Sequence, residues 1–330
     1  MIDPRLRPLW PLPAPLVEPV VFMGDAETEA ERRLLFPVRD VHGITDAAGA
    51  TVFADGQDVI VERAEGRLVR PPTSRVPLVA EDAAAVHNAA QMYARLVMVH
   101  YTPDVGVPPA TTAPPSALAQ TRDRLTRGAP LAICLVGDSI SEGYDSSGFL
   151  GVPPRQPGYA SLVASTLAAG RAGSLRLHNL AVAGSSAADG RWLARPVLDV
   201  EPDLLVVAYG MNDAVWAEAD EYAANLAGLV SDVRAVRPDV EVLLVSPMRP
   251  APACTWVRPE RFPAYAETLA VLADQVGAAL ADVTSLWTAV LTRKSPYDVT
   301  ANGTNHPNDF GHWLYARAVL TALLPAAPPL

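Results

Sequence analysis

The residues best suited to do chemistry are Gly137, Asp138 and Ser139, which follow directly on the apolar run Leu131 to Val136. A buried strand that breaks into Gly-Asp-Ser carries a serine hydroxyl to the carboxyl end of a sheet, where an open α/β fold keeps its ligand crevice. That is where a nucleophile belongs. Taken alone, such a string is more often a turn, with the glycine supplying backbone freedom and the aspartate capping a helix. Three further segments change that balance. Asn179-Leu180-Ala181-Val182-Ala183-Gly184-Ser185 follows a predicted strand, Gly210-Met211-Asn212-Asp213 follows the run Leu204 to Tyr209, and Asn305-His306-Pro307-Asn308 lies near the C-terminus. Acyl transfer by serine needs a nucleophile, a base to take its proton, and donors placed where the carbonyl oxygen becomes an oxyanion.

In this order and at these separations the segments resemble the four blocks of the SGNH (GDSL-type) hydrolases, over about residues 130 to 325. The resemblance implies Ser139 as nucleophile, with its own backbone N–H as one oxyanion donor. It implies a second N–H from Gly184, a side-chain amide from Asn212, and His306 as base. Pro307 biases that histidine toward an extended backbone. His312, on a predicted terminal helix, is the second choice.

The chain departs from the family pattern at the third member of the triad. The family usually places an aspartate three residues before the histidine, and Gly303 stands there. Three arrangements stay open: a backbone carbonyl orients the imidazole in a Ser-His dyad, as in some carbohydrate esterases of this superfamily, or Asp298 or Asp309 reaches in. The dyad is favoured, because Asp309 at a helix start has a ready role as a first-turn or capping acid. Asp138 and Asp213 read likewise as turn and cap residues.

The elements that must position these residues come from an alternating pattern. Strands are predicted at 131–137, 175–181, 203–209, 240–246 and 279–283, with helices at about 158–169, 219–235, 261–277 and 309–324. Apolar strands alternating with helices indicate a doubly wound α/β domain with a parallel sheet covered on both faces. The family resemblance implies a flavodoxin-like, five-stranded version of it. Before residue 102 short β-rich runs dominate, at 20–22, 50–53, 58–61 and 95–101, separated by Ala54-Asp55-Gly56 and Ala64-Glu65-Gly66. They read as an antiparallel, sandwich-like β domain. Prolines at 103, 108, 109, 114 and 115 make 102–115 an extended linker, excluded from a central strand. The predicted division is therefore 1–115 and 116–330.

At 330 residues, half of them apolar, the chain can bury a substantial core. A net charge of −10, from 36 acidic and 26 basic residues without a concentrated basic run, argues against nucleic-acid or anionic-membrane partners. No stretch matches a membrane span or a signal peptide, and two cysteines, Cys134 and Cys254, suggest neither a disulfide framework nor a metal site. A cytoplasmic location is the expectation. No metal is called for, since acyl transfer by serine needs none and no His/Cys/Asp cluster has metal-ligand spacing, and no nucleotide cofactor is called for, since nucleotide-binding glycine motifs are absent.

The segment 143–159 should form one wall of the pocket, with Arg155 in it, and is too polar and proline-rich for a long acyl tunnel. Trp192 and Trp216, beside the Gly184 and Asn212 blocks, could stack on a sugar face, although such aromatics are more often wall packing. A β-rich domain joined to an SGNH domain looks like the layout of several carbohydrate acetylesterases. The expected activity is removal of acetyl groups from an oligosaccharide or other small ester. The alternatives are a lipase- or thioesterase-like hydrolase of longer acyl chains, and a carbohydrate-binding protein with a vestigial hydrolase domain.

Overall fold

The computed structural model describes residues 2–24, 29–80, 88–106 and 116–324. Its larger part is a five-stranded parallel sheet of β7 (Leu131–Gly137), β8 (Leu175–Asn179), β9 (Leu204–Ala208), β10 (Glu241–Val245) and β11 (Ala279–Ala281), in the order β11-β10-β9-β7-β8. Every residue of β7, β9 and β10 is buried, as expected for strands covered on both faces. The next strand after β7 lies on one side of it and the one after that on the other. This reversal between β7 and β9 opens a crevice at their carboxyl ends.

One helical layer pairs Tyr159–Ala168 with Asp309–Leu323, and the other pairs Ala219–Arg234 with Arg261–Val276. These elements lie within two residues of their predicted bounds. The short helices Ser139–Glu142, Ser147–Leu150 and Asp213–Trp216 were not foreseen, because a single turn of helix leaves no apolar period in the sequence.

The N-terminal region holds two antiparallel sheets. One has the order β1-β6-β3, from β1 (Leu16–Val20), β3 (Val38–Asp46) and β6 (Val97–Pro103); the other has β2-β5-β4, from β2 (Ala30–Arg33), β4 (Ile60–Glu62) and β5 (Arg67–Arg70). Three expectations are corrected. The 50–53 run is no strand, because Asp46 accepts from the N–H groups of Ala50 and Thr51 and bends the chain there. The first strand ends at Val20, beyond which the Val21 N–H leaves the ladder for Asp298 Oδ1 at 2.8 Å. Thr102 and Pro103, assigned to the linker, are the last residues of the central strand β6. Pro103 is tolerated because it pairs with Val38 at a register shift of β3. Residues 107–115 of the expected linker lie outside the described residues.

The two regions share one core, in which Leu6, Leu9 and Phe36 belong to the same apolar cluster as Val319 and Leu320. Asp309–Leu323 is buried along nearly its whole length, since a 3₁₀ turn at Pro4–Leu9 covers the flank turned away from the sheet. Arg317 on that helix donates to the Pro8 and Trp10 carbonyls. Among the described residues no helix is long and apolar enough to cross a membrane.

Candidate active site

The chain leaves β7 at Gly137, where only hydrogen fits: a Cβ there would stand 2.5 Å from Ser141 Oγ and 2.6 Å from the Ala208 carbonyl. Asp138 then caps the turn Ser139–Glu142, its carboxylate accepting from the Ile140 N–H at 3.0 Å. Ser139 becomes the first helical residue, so its N–H has no intrahelical acceptor. Its Oγ lies 2.9 Å from His306 Nε2.

His306 is fixed by its own loop. The Asn302 side-chain oxygen accepts from the N–H groups of Thr304, Asn305 and His306, and the His306 carbonyl accepts from the Ala301 N–H. Sequence reasoning passed over Asn302, although asparagine is the residue type that caps such turns. On its far side His306 Nδ1 meets Asp145 Oδ2 at 2.8 Å, with both side chains only 16% exposed. A carboxylate only accepts, so Nδ1 carries the proton and Nε2 is free to accept from the Ser139 hydroxyl.

Asp145 is neither of the aspartates considered from sequence, and the Nδ1 partner is not a backbone carbonyl. Asp298 is fully buried elsewhere, accepting from the Val21 and Ser295 N–H groups and lying 3.7 Å from Lys294 Nζ. Asp309 accepts from Ser147 and from the Tyr93 hydroxyl. Both carboxylates are spent on holding loops. Asp145 comes six residues after the serine rather than near the histidine, in Tyr144-Asp145-Ser146-Ser147. Its sequence is that of an ordinary helix-capping turn, and Ser146 indeed caps Ser147–Leu150. The αL glycine cap at Gly143 turns the chain back so that Asp145 faces the imidazole.

His312 is not a second base. It is fully buried, accepts from the Tyr159 N–H at Nδ1 and donates from Nε2 to the Tyr144 carbonyl, and burial pulls its pKa down to about 4. Burial has the opposite effect on the two block aspartates, pushing Asp138 up to about 7 and Asp213 up to about 6.

The Gly184 and Asn212 blocks are stitched to each other. Asn212 Nδ2 donates to the Ser185 carbonyl at 2.8 Å, and Asp213 Oδ1 accepts from the Ala187 N–H at 2.9 Å. The Gly184 loop is tied in turn to the serine turn, through Val182 N–H on the Gly137 carbonyl and Ala183 N–H on Glu142. Gly184 has φ of +82°, a region that disfavours side chains, and the space beside its Cα is open. Among the described residues no protein acceptor meets the N–H of Ser139 or of Gly184. Asn212 has a second amide proton beyond the one given to Ser185.

Trp192 and Trp216 are 84% and 79% exposed, so they do not pack as walls but stand out from the turns following these two blocks. Arg155 is exposed in the loop after Ser147–Leu150. Among the described residues no group of His, Cys, Asp and Glu has the arrangement of a metal site.

The family described as GDSL-like lipase/acylhydrolase matches over residues 135–314, more than half of the chain. No curated protein matches. Among solved structures, a two-domain esterase active on acetylated mannans is similar at 22% identity and a TM-score of 0.52, over 64% of this chain and 55% of its own. An acetyl-xylooligosaccharide esterase variant from Geobacillus stearothermophilus is similar at 21% identity and a TM-score of 0.50, over 61% of this chain and 98% of its own. An α/β hydrolase from the metagenome of Lake Arreo, Spain, is similar at 24% identity and a TM-score of 0.48, over 59% of this chain and 95% of its own.

Proposed function

The chain belongs to the GDSL-like lipase/acylhydrolase family and is a carboxylic ester hydrolase, and from that premise we propose that it removes acetyl groups from a carbohydrate through an acyl-enzyme on Ser139. The observation that carries this reading is the line Ser139 Oγ, His306, Asp145, with contacts of 2.9 and 2.8 Å, beside two unspent backbone N–H groups.

In the proposed reaction Ser139 Oγ attacks the acyl carbonyl carbon as His306 Nε2 takes its proton. The oxygen becomes an oxyanion between the N–H groups of Ser139 and Gly184 and the Asn212 amide. Asp145 holds the imidazole in the accepting tautomer and stabilises the imidazolium. As the tetrahedral intermediate collapses, the C–O bond to the sugar breaks and His306 returns the proton to the departing oxygen. Water then attacks the acyl-enzyme with its proton passing to Nε2, and acetate leaves while the proton goes back to Ser139.

The exposed faces of Trp192 and Trp216 suit a sugar, and two of the similar solved structures, with TM-scores of 0.52 and 0.50, are esterases of acetylated mannans and of acetyl-xylooligosaccharides. A p-nitrophenyl ester series from acetyl to octanoyl, run beside acetylated xylo- and manno-oligosaccharides, tests the reading. Acetyl and propionyl esters should be turned over well, octanoyl poorly, and Ser139→Ala should be below about a hundredth of wild type. A preference for octanoyl would move the activity to long-chain acyl esters. Failure of a fluorophosphonate to label Ser139 would leave the hydrolase site vestigial.

A further inference from the structure

We propose that Tyr93, reaching in from the N-terminal region, and Asp309 form a clamp that positions Asp145 for His306, so that the N-terminal region is a working part of the active site. This rests on the Ser139-His306-Asp145 reading above. Asp145 has φ of +59°, in the left-handed region that residues other than glycine rarely enter, and such a residue persists only where its surroundings over-determine it.

The over-determination is visible on both sides. Before Asp145, the Tyr144 N–H donates to the Ser139 carbonyl and the Tyr144 carbonyl accepts from His312 Nε2 at 3.1 Å. After it, Asp309 grips Ser147: Oδ1 accepts the Ser147 N–H at 2.8 Å and Oδ2 its hydroxyl at 2.6 Å. Tyr93 joins the two. Its hydroxyl lies 2.8 Å from Asp309 Oδ1 and 3.1 Å from the Asp145 carbonyl, one proton shared between two acceptors, and it accepts the Asp309 N–H at 2.9 Å. Asp309 stands three residues after His306. A single phenol from residue 93 therefore touches the acid's own carbonyl and the residue that opens the helix following the base and holds the acid's loop.

The seat under this clamp is apolar and built from both regions. Val21, Met23, Val79, Met92, Tyr93 and Leu96 share a buried cluster with Ala301 of the His306 loop, and Leu150 and Val152 of the Asp145 side pack against it. Tyr93 is 3% exposed, and burial together with the neighbouring Asp309 carboxylate holds its phenol protonated, as a donor needs.

Tyr93→Phe, Asp145→Asn and the double variant of the full chain test the proposal, with kcat and KM for p-nitrophenyl acetate referred to folded protein by near-UV circular dichroism. Tyr93→Phe alone should lower kcat by about tenfold with KM within about twofold, and should change kcat by less than about twofold once Asp145 is already Asn. The same factor in both backgrounds, a wild-type kcat, or a change in KM alone would overturn the clamp. Where Tyr93→Phe does not fold, Ser147→Ala loosens the same grip from the loop side and should show the same non-additivity. Should Asp145→Asn by itself keep activity within tenfold of wild type, the triad reading falls and takes this inference with it. A crippled Asp145→Asn with multiplicative effects removes the clamp alone.

Discussion

Replacing Asp145 by Asn changes one atom and tests the active-site reading most directly. The carboxylate accepts the proton of His306 Nδ1 at 2.8 Å in the resting enzyme. As Ser139 attacks, the ring becomes an imidazolium with its charge about 4 Å from that of the carboxylate. At an effective dielectric of about 20 the attraction is about 4 kcal/mol. With each tenfold in rate corresponding to about 1.36 kcal/mol, its loss predicts a fall of about 10³-fold. Both side chains are mostly shielded from solvent, so screening removes little of this. An Asn that turns its NH₂ toward Nδ1 does further damage, because it stabilises the tautomer whose Nε2 bears hydrogen and cannot accept from serine. The assay is kcat and KM on p-nitrophenyl acetate, with folding checked by thermal midpoint. The fall should appear in kcat with KM little changed. A folded variant retaining more than about a tenth of wild-type kcat would refute the reasoning and return the imidazole to a dyad.

Asp298→Asn should leave kcat within about tenfold and lower the thermal midpoint, because Lys294, fully buried, loses one of its two carboxylate neighbours while Glu18 remains at 3.3 Å. A thousandfold loss of kcat at unchanged midpoint would give Asp298 the orienting role instead. Asn212→Ala should cost about 10²- to 10³-fold in kcat and little in KM, and a pure KM effect would contradict its place in the oxyanion hole. Asp138→Asn concerns pH: the folded pKa of about 7 lies above the ordinary 3.8, so the folded state holds a proton that the unfolded state has lost. The contribution is full below about pH 4 and fades as pH rises to about 7. The variant keeps the cap on Ile140 and should flatten that decline in thermal midpoint; an unchanged slope would show that Asp138 does not titrate there.

The parallel sheet was legible because most of its strands are near-continuous apolar runs separated by helical periods, the edge strand Leu175–Asn179 with its Arg176 and His178 being the exception, and the order of the four blocks already fixed which loops would meet. The acid was not legible. Its partner in space is 161 residues away along the chain, and in sequence Asp145 looks like any aspartate before a short helix. Asp298 and Asp309 look better by position, and their carboxylates turn out to be occupied with backbone and side-chain donors. The β region was read correctly as antiparallel and incorrectly in its strand bounds, since side chains such as Asp46 and Asp298 capture N–H groups that the pattern assigns to a ladder.

The contact of Arg317 with the Pro8 and Trp10 carbonyls joins residues about 309 positions apart. On a ribosome the first segment is therefore made long before the helix it covers. Through almost the whole of synthesis Leu6 and Leu9 have no partner there, and the cluster they complete closes only when the last helix emerges. Closing so large a loop is entropically slow and leaves apolar surface open in the interval. The growing chain should accordingly depend on holdase chaperones until the last helix emerges, and a stop placed just before residue 309 should yield an aggregating product even though all eleven strands of the described residues are present in it.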